Sequence, residues 1–389
     1  MRRVYTSILM FYLILHFIFP LIYYHFFGFV NLFSQMEYGS ASIIKGISIN
    51  VISILGTIAV IQFLPNKKTP IPPKYNHSFK FYLITICLLG YTIKGTAYED
   101  ILEGATNGTF VSYLLLFFDA TVGLALFLFM QKNIKFVVVA ILLYVLLLTF
   151  AGSRSAIIFV LIIFICLSIF ENNLKAKEKM RKIVLFLCIV SPIMFYYATN
   201  VRSSVDQSSV TKLLVGRISM VELASIPIDA INDKTMNYTL YDKKYGIINQ
   251  LQQSFNEVSP LNLFELDVNP NQYHRPIFLG NDELSIIDKY MSMNMTLPTY
   301  FYVETNLFFG CILTILFLSL LYYFWVRNSD NIYLLVGIIT QLYYMLQYFD
   351  WVMLVAGFYR IFLTIFALKC IEKFFNIISN WDFRLKVSS

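Results

Sequence analysis

The chain reads as an all-α polytopic membrane protein, with about ten transmembrane helices and one large external loop containing short amphipathic helices. Three observations predict this class. Hydrophobic residues make up 58% of the 389 residues and charged residues only 14%, against roughly 25% charged in an ordinary soluble domain. Apolar runs long enough to cross a bilayer recur along the chain. Lys and Arg alternate from one side of those runs to the other. A soluble fold of this composition lacks the polar side chains to cover its surface, which excludes a soluble enzyme, a disordered regulator and a small disulfide scaffold. The 37 Phe and 27 Tyr suit lipid-facing helices with interfacial belts.

Each apolar run approaches the roughly 20 residues that a bilayer requires. The runs are 4–27, 42–64, 79–95, 111–130, 134–151, 155–170, 183–200, 299–325, 331–349 and 352–371. The first follows Met1-Arg2-Arg3 and has no small-residue cleavage site after it, so it reads as an uncleaved span and not as a signal peptide. Arg2, Arg3, Lys67, Lys68, Lys132, Lys135, the run Lys175 to Lys182, Arg327, Lys373 and Arg384 fall on one side. The short loops of the other side hold only Lys45, Lys94 and Arg154. By the positive-inside rule the first side is cytoplasmic, together with both termini. Three segments result: residues 1–200 with spans one to seven, an external loop 201–298, and residues 299–389 with spans eight to ten and a cytoplasmic tail.

The long loop is expected to carry the function, because structureless loops of that length are uncommon otherwise. Within it Leu213, Leu214, Val215, Ile218, Val221 and Leu223 recur at helical spacing, and Pro227 is expected to stop the run. Such a helix should lie on the membrane surface or fold over the bundle. Cys87, Cys166, Cys188, Cys311 and Cys370 all sit in apolar runs, which favours packing over disulfides or a metal cluster.

Ionisable groups in apolar surroundings are costly and therefore candidates for function. Arg154, in Gly152-Ser153-Arg154-Ser155-Ala156, is either a snorkelling charge on a hairpin turn or an anion site, where free backbone N–H groups and a helix start adjoin a guanidinium. Asp119 in the fourth run and Arg360 in the tenth lie at equal depth, about 12–14 Å from the outer ends. They form either a buried pair or, for Arg360, an anion contact in a cavity. His274 and Arg275 lie in the loop, followed by Asp282 and Glu283; His274 is the external histidine with charged company. Arg217 follows Gly216 in the amphipathic stretch. His16 and His25 lie in the first span, where packing with one hydrogen bond each is the expectation. No P-loop, zinc-protease motif, nucleophile elbow or dinucleotide fingerprint is present, and nothing points to a nucleic-acid partner.

The Gly152-Ser153-Arg154 turn between central spans, the large external loop in the second half, and Glu304-Thr305-Asn306-Leu307-Phe308-Phe309-Gly310 at the entry to the eighth span resemble the bacterial O-antigen polymerases of the Wzy type, a family of oligosaccharide repeat-unit polymerases related to the O-antigen ligases. The resemblance implies a multi-pass protein of the bacterial inner membrane. It implies transfer of a growing glycan from an undecaprenyl diphosphate carrier to the sugar end of another lipid-linked repeat unit, at the outer face. Membrane lipid and a chain-length regulator of the same pathway are the implied partners. No cofactor and no metal are implied, since Arg154, Arg217, Arg275 and Arg360 can neutralise the leaving diphosphate. His274, Asp282 or Glu283 is then the base for the acceptor hydroxyl. The competing readings are a flippase of lipid-linked oligosaccharide, a ligase, an acyltransferase and a metal-dependent sugar transferase. The long external loop and the absence of an inverted repeat weigh against a transporter.

Overall fold

Helix is the only regular structure that satisfies the backbone of an apolar segment from within, apart from a closed barrel. The computed structural model describes residues 1–28, 39–67, 215–216, 218–258, 263–264, 277–278, 295–330 and 332–387, with short pieces at 139, 178, 181–186 and 188–189. Among them every regular element is helical, and the single strand-like contact is an antiparallel bridge between Met295 and Phe349. Among the described residues three helices are long and apolar enough to cross a membrane: Arg2–Phe27, Ser40–Ile61 and Leu307–Arg327. They answer to the runs expected at 4–27, 42–64 and 299–325. The ten-span count also draws on runs from 79 to 200, most of which lies outside the described residues.

The first span is α1 (Arg2–Leu13), a π-helical turn (Ile14–Ile18) and α2 (Phe19–Phe27) in continuous succession. The widened turn has a cause in the sequence. Pro20 has no N–H, so the carbonyl of His16 has no α-helical donor four residues on. The N–H of Met220, from the long loop, donates to that carbonyl at 3.1 Å. α3 (Ser40–Ile61) is the second span.

The third departs from expectation. The apolar run at 299–325 is two helices, α7 (Leu297–Glu304) and α8 (Leu307–Arg327), separated at Thr305 and Asn306. Asn306 ends the run's continuity by capping α8, its side-chain oxygen accepting from Phe309 N–H at 3.0 Å. Gly310 lets α7 fold back on α8: a Cβ there would stand 2.8 Å from the backbone of Tyr302. Between the spans come α4 (Val221–Asn232), α5 (Tyr238–Lys244) and α6 (Ile247–Val258). After them come α9 (Ile332–Gln347) and α10 (Trp351–Val387), the latter containing a shorter apolar stretch, Leu354–Ala367.

The chain divides into two compact units. One gathers Met1–Lys67, Ser208–Arg327 and Gln341–Phe358; the other gathers Lys68–Gln207, Asn328–Thr340 and Tyr359–Ser389. In the first unit the basic ends meet. The Arg2 guanidinium donates to the Leu64 carbonyl at 2.8 Å, and the Tyr322 hydroxyl donates to the Pro65 carbonyl at 3.1 Å. The start of α1, the end of α3 and the last turns of α8 therefore share one end, the end that bears Arg2, Lys67 and Arg327. The charge count groups these same residues on one side. Buried tyrosines bind the helices together: Tyr5 donates to Leu318 O and Tyr12 to Leu346 O, each at 2.8 Å. Each such bond contributes about 1 kcal/mol net, and the rings add edge contacts, as between Tyr5 and Tyr322.

The amphipathic stretch of the long loop is corrected on one count: Pro227 lies inside α4 and does not stop it. Val221 through Ile228 are all buried. α4 packs on α3 where Gly46 removes the side chain: a Cβ there would lie 2.8 Å from the Ala224 carbonyl oxygen. The side-chain amide of Asn232 donates to the Ser42 hydroxyl at 3.2 Å. Part of the long loop thus folds into the helix bundle, the other course open to it.

Candidate functional site

The break between α7 and α8 leaves Glu304 as the last residue of α7, exposed, while its neighbour Tyr302 is buried. The carboxylate is not isolated. The Tyr241 hydroxyl, from α5, donates to Glu304 Oε1 at 2.6 Å. Tyr300, one turn earlier on α7, feels the same carboxylate: burial first, and then the Glu304 charge, hold its hydroxyl above the usual phenol range. The Tyr300 oxygen accepts from the Trp351 indole N–H at 3.1 Å. Trp351 thus fixes the Tyr300 ring beside Glu304, and Tyr241 binds the carboxylate from the loop side.

The surrounding packing fixes these donors. Tyr241, Tyr245 and Tyr300 are buried, and the rings of Tyr241 and Tyr245 stack at 5.6 Å. Burial first, and then the Glu304 charge, holds the Tyr241 hydroxyl well above the usual phenol range; burial and then Asp350 do the same for Tyr245. Tyr241 therefore keeps its proton and remains a donor throughout the neutral range. Gln250 of α6 locks the other side: its Oε1 accepts from Trp351 N–H at 2.7 Å, and its Nε2 donates to Tyr245 O at 2.6 Å. Asp350, buried beside Trp351, places a second carboxylate near Tyr245 and Tyr300. A carboxylate offers about four lone-pair sites. The Tyr241 bond leaves Glu304 with capacity for an incoming hydroxyl. Lys45, one of the few cations assigned to the outer side, lies 4.9 Å from the centre of the Tyr302 ring, on the same short helix.

A second polar cluster surrounds His16 in the π-turn. Its Nδ1 bonds the Ile218 carbonyl, which can only accept, so Nδ1 carries the proton. Its Nε2 then accepts from the Tyr343 hydroxyl and, at 2.8 Å, from the Gln347 amide. The expectation of a packed histidine with a single hydrogen bond is too small. His16 ties the first span, the long loop and α9 together, and no part of it reaches the surface.

Most residues singled out from the sequence fall elsewhere. Arg154, Arg217, His274, Arg275, Asp282, Glu283 and Asp119 lie outside the described residues. Arg360 falls within α10, on its backbone. Glu304 stood in the stretch that carries the family resemblance but was not counted as a site residue. The signal was present: an acid, then an Asn cap, at the mouth of an apolar run. Tyr241, Tyr300, Asp350 and Trp351 had no local signal. Among the described residues no group of three metal-ligating side chains gathers.

These helices define a helical membrane protein with a folded inter-span loop. No family model, curated protein or solved structure matches the chain.

Proposed function

We propose that the chain is a membrane-embedded glycosyltransferase that joins undecaprenyl diphosphate-linked oligosaccharide repeat units into O-antigen or a related surface polysaccharide, at the outer face of a bacterial inner membrane. The observation that carries the reading is the exposed Glu304 carboxylate, oriented by Tyr241 at a helix break. The seven residues from Glu304 to Gly310, on which the resemblance partly rests, are the ones that make the break.

In the proposed step an acceptor sugar hydroxyl attacks the anomeric carbon of the growing glycan. The new glycosidic C–O bond forms as the bond from that carbon to the diphosphate oxygen breaks. Glu304 takes the hydroxyl proton, and undecaprenyl diphosphate leaves with the electron pair. Diphosphate is a good leaving group, so stabilising its charge matters more than protonating it. Arg154, Arg217, Arg275 and Arg360 are the guanidiniums proposed for that role, and a planar fork suits two phosphate oxygens better than a lysine does. His274, Asp282 and Glu283 are the rival bases.

The test is deletion of the gene, followed by electrophoresis of the surface polysaccharide and complementation with variants. Loss of long chains with a single repeat unit retained supports the polymerase. An unchanged ladder overturns it, and loss of every repeat unit points to a flippase. Complementation by Glu304→Gln to a full ladder, with the rest of the pattern intact, would move the base to His274, Asp282 or Glu283. For the diphosphate contact, Arg154→Lys is expected to lower polymer strongly at normal protein level. A normal ladder from that variant removes Arg154 from the site.

A further inference from the structure

α6 turns polar residues inward and apolar residues outward. Gln250 and Ser254 are each 1% exposed, while Ile248, Leu251 and Phe255 are 71%, 37% and 55% exposed. The three apolar residues recur at helical spacing and form one stripe. The inward polar residues are engaged in the protein: Gln250 holds Trp351 and Tyr245, and Ser254 donates to Gln250 O at 2.6 Å. Asn249, Gln252, Gln253 and Asn256 are half-buried. Phe264 extends the stripe, its ring 6.4 Å from that of Phe255. Water is an unfavourable cover for such a face.

The position of α6 says what covers it. Gln250 is bonded to the backbone of Trp351, the first residue of α10. α5, which leads directly into α6, is bonded to Glu304, just before the span α8 begins. At that mouth Leu307, Phe308 and Phe309 are exposed as well. The helix therefore sits at the level where a membrane span ends. At about 1.5 Å per residue its 12 residues run roughly 18 Å.

We propose that α6 lies in the bilayer boundary, with Ile248, Leu251 and Phe255 dipping into the acyl layer, Gln250 and Ser254 against the protein, and the half-buried Asn249, Gln252, Gln253 and Asn256 toward the headgroups. Lipid would then hold α5 and α6, and with them Tyr241, at a fixed height beside Glu304. The inference rests on the membrane reading of the chain and is independent of the sugar chemistry.

The experiment uses the full chain in nanodiscs of phosphatidylcholine, with Leu251→Trp and Phe255→Trp made separately. The emission added over that of the parent protein is compared in lipids with and without shallow brominated acyl chains, and with aqueous iodide. The expected result is that bromine quenches most of the added emission while iodide leaves it nearly unchanged, at both positions. Quenching by iodide alone would show a water-exposed stripe and overturn the proposal. Shielding from both quenchers would show a protein partner or a second copy on the stripe, and would overturn it equally.

Discussion

Two polar clusters of the first unit use similar parts and reach opposite ends. Around His16, a tyrosine, a glutamine and a loop carbonyl consume the whole hydrogen-bonding capacity of the ring, and the cluster is sealed. Around Glu304, one tyrosine hydroxyl orients a carboxylate that still faces outward with lone pairs to spare, beside a Tyr300 ring fixed by Trp351. The first is a clamp between the long loop and the spans. The second is a site. What separates them is whether the central group retains an open valence at an accessible surface, and not the kinds of residue gathered about it.

The largest expected effect comes from Glu304→Gln. A general base contributes about 10²–10⁴-fold to rate, so polymer formation should fall by about that factor while the protein stays inserted at near-normal level. The readout is the ladder of chain lengths against an immunoblot of the membrane fraction. Polymer at parental level from this variant would erase the distinction between the clusters.

His16→Ala should act in the other currency, that of stability. It opens a cavity and removes the bonds of His16 to the Ile218 carbonyl, the Tyr343 hydroxyl and the Gln347 amide, leaving Gln347 its bond to the Tyr343 oxygen, a cost of about 3 kcal/mol. Thermal unfolding in detergent should show a clearly lowered Tm, with activity per folded molecule little changed. An unaltered Tm would contradict the clamp.

Gly310→Val falls between the two. The added side chain meets the Tyr302 backbone, and overpacking of this kind costs about 1–3 kcal/mol. The break that presents Glu304 should be distorted, so both Tm and polymer length should drop. A loss of Tm alone would show that the geometry of the break is not needed for the chemistry.

The smallest effect is expected from Tyr241→Phe. It removes one hydrogen bond to an exposed acceptor that water can replace, about 1 kcal/mol. The same loss of orientation should lower polymer formation by a few-fold, read from the ladder, with Tm almost unmoved. A large fall in Tm would class Tyr241 with the clamp.

The sequence by itself determined the class. Apolar runs of bilayer length and sparse charge permit little but transmembrane helices, since backbone groups in lipid must bond within their own segment. It also determined which helix ends belong together, through the placement of Arg2, Lys67 and Arg327, whereas the break at Asn306 lies inside a run that reads as one span. Tertiary structure decided the rest. The stretch around Val221 carries a surface helix's periodicity, yet α4 is buried, because Gly46 opened a place for it and the periodicity of a helix says nothing about what lies on its other side. α6 carries a similar pattern and turns Gln250 and Ser254 inward, because Gln250 found Trp351 and Tyr245 about a hundred residues and a few residues away respectively. Glu304 became a site residue only when Tyr241 of the long loop reached it. Hydrogen bonds are short-ranged, and sequence separation carries no information about which donors a fold will bring within 3 Å of an acceptor.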